Sequence, residues 1–262
     1  MTPAADAALQ EEATTPVPEV GWFVYGVVGA DSPVPTDLTG LDDEPVTTLS
    51  SGRVAAVVTK VAVERPPGRS VELLAYNSVL DALAHGPGPV VPVRFGSILP
   101  DEEAVVEEFL APDEGYFAEL LEGLQGREQF MFQALYDEQQ VLADIVATEP
   151  EIAELRALTK DLPPEAAYGE RVRLGELVSA AVDVRRAVDS SWLLDEVLPL
   201  TEGYSLRPVS GLERVVDAAL LVATDRRADF EERLEALAEE VHDRMRLRLM
   251  GPTAPYDFAG GG

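Results

Sequence analysis

Within residues 129–136, Phe130, Phe132, Ala134 and Tyr136 recur at every second position. A period of two places all four on one side of a β-strand, so this segment commits the chain to a sheet with an aromatic face. A second pattern has the helical period. Over residues 229–249, Phe230, Leu234, Leu237, Val241 and Met245 repeat at three and four residues. Such a stripe requires a partner surface, and the sheet of its own domain is the ordinary one. The acidic start of this segment, with Arg244, Arg246 and Arg248 near its end, complements a helix dipole, so the whole of 229–249 is expected as one helix.

The remaining elements alternate irregularly. Residues 22–28 and 54–58 read as strands, separated by loops over 31–35 and 38–45. After Pro66, Pro67 and Gly68, residues 70–84 read as a helix, with Val71, Leu74, Ser78 and Ala82 towards a sheet and Glu72 and Asp81 towards water. Gly86, Pro87, Gly88 and Pro89 end that helix and lead to an edge strand over 90–95, because Pro92 lacks a ladder donor. Pro100 and an acidic first turn open a helix over 101–110. Helices are expected over 137–147 and 150–158, and Leu174, Leu177, Ala181, Val184 and Val188 mark a buried stripe on a further one. Residues 201–207 read as a strand, whereas the apolar run in 214–223 is open between strand and buried helix. This order suits two α+β domains better than a repeating βαβ unit. The expected division is a disordered acidic leader over 1–20, an N-terminal α+β domain over 21–112, a C-terminal α+β domain over 113–250 and a tail over 251–262.

The formal net charge of −28, from 48 acidic and 20 basic residues, argues against nucleic acid as a partner, since phosphates would be repelled. With no cysteine, disulfides and thiolate metal ligands are excluded. His85 and His242 are too few for a histidine-rich zinc centre; the first suits a helix C-terminus and the second a solvated position. No phosphate loop, dinucleotide fingerprint or exposed-serine turn occurs. The adjacent carboxylates Asp42 and Asp43, and Glu102 and Glu103, read as solvated or capping groups. No catalytic residue, metal or cofactor is therefore expected. The leader lacks arginine, lysine and an apolar signal run, and no apolar run reaches the ~18 residues of a membrane span, so a cytoplasmic location is expected.

Two motifs remain. In the run from Pro92 to Gly96, Arg94 is suited to a carboxylate or several carbonyls, Phe95 to packing, and Gly96 to a tight exit towards Ser97. This is either a structural joint or a partner contact. At the end, Gly251 and Pro252 are suited to stop a helix, and Pro255, Tyr256, Asp257 and Phe258 follow. Tyr256 and Phe258 are two apart, so an extended tail would send both rings into one groove, on this chain or on a partner.

Together with Tyr25, Gly26, Val27 and Val28, and with the run from Tyr168 to Glu176, these motifs resemble the gas vesicle protein F/L family from about Trp22 to Phe258. The resemblance implies an N-terminal ferredoxin-like or related sheet-and-helix domain followed by a C-terminal α+β domain with a long terminal helix. It also decides for a strand over 214–223. Arg94, Phe95 and Gly96 match a recurrent landmark, and Gly251, Pro252, Pro255, Tyr256, Asp257 and Phe258 match the terminal motif. Thr253 and Ala254 depart from it, standing where an aromatic or leucine and a further proline are common, and Ala75, Tyr76 and Asn77 stand where a histidine is frequent. The implied function is gas vesicle formation in a prokaryotic cytoplasm. The implied partners are the hydrophobic shell subunit and other gas vesicle accessory proteins, whether the chain limits shell-subunit aggregation or is a minor structural component of the vesicle. The rival is a small-molecule-binding α+β sensor or enzyme, which requires a pocket with converging buried polar groups.

Overall fold

The computed structural model describes residues 20–63, 65–163 and 165–260. The expected leader lies outside the described residues except for Val20, which opens the first strand.

The N-terminal half is an antiparallel sheet of β1 (Val20–Gly29), β2 (Thr47–Ser51), β3 (Val54–Ala62), β4 (Val90–Pro92) and β5 (Ile98–Leu99). Its order is β2-β3-β1-β4, with β5 on β1 beside β4. Both faces are covered, which is why β1 and β3 are near-continuous apolar runs rather than alternating ones. On one face α1 (Ser70–Ala84) packs Tyr76, Val79, Leu80 and Leu83 against Phe23, Tyr25, Val57 and Val61. On the other, a π-helical segment, Ala104–Leu110, and α2 (Glu114–Leu124) bring Val105, Leu110, Phe117 and Leu121 onto Val24, Val27, Ala56 and Val58. Because α2 lies on this first sheet, the chain crosses to the second at Gln125 and Gly126, beyond the boundary expected at 112.

The helix over 70–84 turns a different face inward from the one its pattern suggests. Val71 and Leu74 are 63% and 66% exposed, and Glu72 is buried. The cause is the helix start: Glu72 accepts from the amides of Gly68 at 2.7 Å and Arg69 at 2.9 Å and pairs with the Arg65 and Arg69 guanidinium groups. Drawing this carboxylate in rotates the helix onto Tyr76 and Leu80.

The C-terminal half is a four-stranded antiparallel sheet, order β7-β8-β6-β9, of β6 (Arg127–Tyr136), β7 (Gly203–Leu206), β8 (Arg214–Ala223) and β9 (Met245–Thr253). Helices α3 (Glu138–Thr148), α4 (Pro150–Thr159) and α5 (Tyr168–Val197) follow β6, and α6 (Arg227–Val241) follows β8. Strands and helices thus run β-α-β-β-α-β, the ferredoxin-like connectivity, in this half, whereas the N-terminal half is a related sheet-and-helix arrangement. Phe130, Phe132, Ala134 and Tyr136 form the inner face, as their period requires, and meet Val182, Leu193, Val197, Phe230 and Leu237.

Two helical expectations change. The stripe on α5 is displaced: Leu174, Leu177 and Ala181 pack on the core, but Val184 and Val188 are 70% and 66% exposed. Asp189 takes the inward place, accepting from the Tyr136 hydroxyl at 2.6 Å and pairing with Arg244, which sets the rotation of the helix. The terminal helix ends at Val241, and the last part of 229–249 is strand β9. Val241 and Met245 are four apart, so a helical period runs over the turn; from Met245 onward, buried or half-buried Met245, Leu247 and Leu249 alternate with exposed Arg246 and Arg248. The arginines are strand residues and do not serve a helix dipole.

Candidate partner-binding surfaces

Arg94, Phe95 and Gly96 form the turn by which the sheet edge changes from β4 to β5. The Ser97 amide and hydroxyl both donate to the Arg94 carbonyl, at 3.2 and 2.8 Å, and the Val24 amide donates to the Ser97 carbonyl at 2.9 Å. Gly96 has φ 92°, a conformation side chains resist. Phe95 lies 5.2 Å from the Tyr76 ring and 5.7 Å from the Phe23 ring, both edge-on. Arg94 itself is exposed. Among the described residues its guanidinium meets neither the carboxylate nor the carbonyls its sequence context suggests, so the joint rests on the backbone, Phe95 and Gly96.

The tail is a clasp between the halves. Gly251 stops no helix: it lies within β9 at φ 148°, where a Cβ would come within 2.7 Å of the Phe130 ring and 2.9 Å of the Gln129 carbonyl. The β6–β9 register shifts there, and the Gly251–Pro252 peptide is cis. Pro252 and Pro255 are buried, and Ala254 enters the core beneath α1. Asp257 is fixed from two sides, its carboxylate by Arg207 at 2.8 Å and its amide by Gln129 at 3.2 Å. The two rings diverge, because turns at 254–258 replace an extended tail. Tyr256 approaches Tyr76, and burial followed by that neighbouring hydroxyl pushes its phenol pKa up. Phe258 packs instead with α2 and β8, beside Gly203. One groove does not receive both.

His85 caps α1, its Nδ1 lying 2.7 Å from the Asp81 carbonyl oxygen. His242 is exposed after α6, with its pKa raised by the Glu239 carbonyl and then by Asp243. A cleft of about 230 Å³ lies between the halves, walled by Gly86, Pro87, Gln125, Gly126, Pro252 and Pro255 among others, with Arg127 and Glu128 its charged residues. Among the described residues no group of three or more histidine, cysteine, aspartate or glutamate side chains is placed to hold a metal ion, and no helix is long and apolar enough to cross a membrane.

The surface that sequence reasoning missed is the outer side of α5. Ala180, Val184 and Val188 are all exposed and follow one another at four-residue spacing, while Glu176, one step before them, is exposed and charged. Asp183, Arg185 and Arg186 surround the last two, so the segment reads equally well with either side inward; only the Asp189 contacts decide.

The described molecule is a two-sheet α+β protein in which Phe95 and Phe258 pack within the chain, Arg94 and Tyr256 are exposed, and the longest helix turns Ala180, Val184 and Val188 outward. The chain belongs to the gas vesicle synthesis protein GvpL/GvpF family, whose profile matches residues 21–260, and this gives it a role in gas vesicle formation. It is 33% identical to gas vesicle protein F of Streptomyces sp. (strain CB03234) over 242 residues, 90% of this chain and 98% of the relative. It is 25% identical to gas vesicle protein L1 of Halobacterium salinarum over 255 residues, 91% of this chain and 90% of that one. The crystal structure of GvpF from Anabaena sp. PCC7120 superposes with a TM-score of 0.76 at 23% identity, covering 92% of this chain and 99% of the other.

Proposed function

We propose that this protein binds the hydrophobic shell subunit of the gas vesicle through the outer side of α5 and keeps it from aggregating before it enters the growing shell. The observation that carries this reading is the exposed patch Ala180, Val184 and Val188. At 1.5 Å rise per residue it extends about 12 Å, a little over two helical turns, enough to seat a short apolar stretch of a partner. An apolar strip of this kind marks an interaction site when the rest of the surface is charged. Here the rest of the chain has a formal net charge of −28, which keeps a loaded complex apart from its neighbours in solution. Release follows when shell–shell contact buries more apolar area than the accessory contact does. The complex forms in the cytoplasm and delivers its cargo to the vesicle, where other accessory proteins meet it.

The test is light scattering and complex mass with purified shell subunit at physiological salt, without nucleotide. The protein is expected to suppress scattering and form a defined complex. Val184→Asp combined with Val188→Asp is expected to remove suppression while leaving the thermal melt in place. Unchanged scattering with no complex contradicts the proposal, and protein found only in finished vesicles, with no effect on scattering, assigns it to the shell structure instead.

A further inference from the structure

We propose that the free edge of β9 is a second docking site, taking an extended partner segment in which acidic and apolar residues alternate and which completes the sheet as a fifth strand. β9 ends the order β7-β8-β6-β9, and among the described residues no strand pairs with its outer side. An edge strand presents a row of backbone donors and acceptors to whatever extended chain can match its side chains.

The two sides of this edge differ in chemistry. Arg246 and Arg248, two apart and exposed, project from one side, opposite Leu135 and Gln133 of β6. On the other side, Leu247 and Leu249 line a groove of about 270 Å³ with Phe132, Leu234 and Ala238, bounded also by Glu231 and Glu235 of α6 and reached at its rim by Arg248. An added strand would turn alternate residues to these two sides. Those facing the arginines are required to be acidic. Those facing the groove meet Leu247, Leu249, Phe132, Leu234 and Ala238 and are required to be apolar.

Charge complementarity selects this occupant. Most arginines elsewhere are held within the chain, among them Arg53 by Glu114, Arg173 by Glu151, Arg227 by Glu128 and Glu231, and Arg233 by Glu196 and Glu240, whereas Arg94, unpaired among the described residues, stands alone rather than beside a second one on a sheet edge. Arg244, in the turn just before the same strand, is held by Asp189. Among the described residues, Arg246 and Arg248 make no ion pair although 48 acidic residues are available. They leave a basic strip on an acidic molecule beside open backbone groups. Beyond a Debye length of ~8 Å at physiological salt the net charge is screened, so the local pair governs the contact.

The experiment titrates the full chain into a fluorescent synthetic peptide of alternating glutamate and leucine, read by anisotropy, with a lysine-for-glutamate peptide as control. Saturable binding of the glutamate peptide, weakened about tenfold by Arg246→Gln with Arg248→Gln and by raised salt, is expected. Hydrogen exchange is expected to slow across residues 245–250. The double variant changes exposed side chains only, and its thermal melt is run alongside; the salt series on the unaltered protein gives the same information without substitution. Absent binding, equal affinity for the lysine peptide, or protection elsewhere with 245–250 unchanged overturns the proposal. So does an edge already occupied by a second copy of the chain, read as a dimer that the charge variants dissociate.

Discussion

Arg94 and Phe95 are neighbours in one motif with different physical roles. Arg94→Ala is expected to change unfolding stability by less than about 0.5 kcal/mol, as an exposed side chain outside any special contact does. Phe95→Ala opens a hole beside Tyr76 and Phe23 and is expected to cost about 2–4 kcal/mol, near the lower end of aromatic-to-alanine changes because the ring is only partly buried. Urea unfolding of both variants checks the contrast; equal losses would contradict it. Glu72 makes a pH prediction. Its carboxyl is held down to about 2 by the Gly68 amide first, with the Arg69 amide and the Arg65 and Arg69 side chains adding to it against the cost of burial. The folded state therefore binds this proton less readily than the unfolded state does. The stability it contributes is present above the ordinary value of 4.5 and is lost as pH falls from there to about 2. Glu72→Gln is expected to cost about 1.5–3 kcal/mol at neutral pH, the range for hydrogen bonds to a charged group, and to flatten the acid limb of the stability profile. An acid limb identical to that of the parent protein would contradict the assignment.

Element by element, the sequence was informative where one period dominates. β6 is legible from Phe130, Phe132, Ala134 and Tyr136 because nothing in it competes with alternation, and the helix starts at 70 and 150 follow from flanking prolines and polar residues. Periodicity failed where a buried charge, not an apolar count, set the rotation. Glu72 on α1 and Asp189 on α5 are both drawn inward by partners remote in sequence or before the helix start, and no spacing rule anticipates Tyr136 and Arg244 closing on Asp189. The change from α6 to β9 was hidden for a different reason: Met245 continues a helical spacing while also beginning an alternating one. The exposure of Val184 and Val188, on which the proposed surface rests, was masked by the same ambiguity, since both fit a buried stripe. Asp189→Ala should therefore loosen α5 specifically. Leaving the Tyr136 hydroxyl and the Arg244 guanidinium without their acceptor is expected to cost about 1–3 kcal/mol. Faster hydrogen exchange in α5 and in β6 near Tyr136 is the readout, and unchanged exchange would reject Asp189 as the fixing group.

At the scale of the whole molecule, the tail joins two sheets that have separate cores. Ala254 belongs with the α1 side of the first sheet, Phe258 and Ala259 with its α2 side and with Leu221 of the second. Phe258→Ala is expected to cost about 1.5–3 kcal/mol, below the value for a fully buried ring, and Tyr256→Ala less, since Tyr256 remains 43% exposed. Urea unfolding orders the two, and a larger loss for Tyr256 would contradict the clasp. The outer side of α5 lies away from this joint and is the surface we propose for the shell subunit. The chain contains no cysteine, so Val184→Cys supplies a unique site for an environment-sensitive dye, and Leu73→Cys on the exposed side of α1 supplies its control. On titration with shell subunit, a saturating blue shift at 184, with none at 73, is the predicted result; a complex that forms while the dye at 184 stays in water would contradict the account.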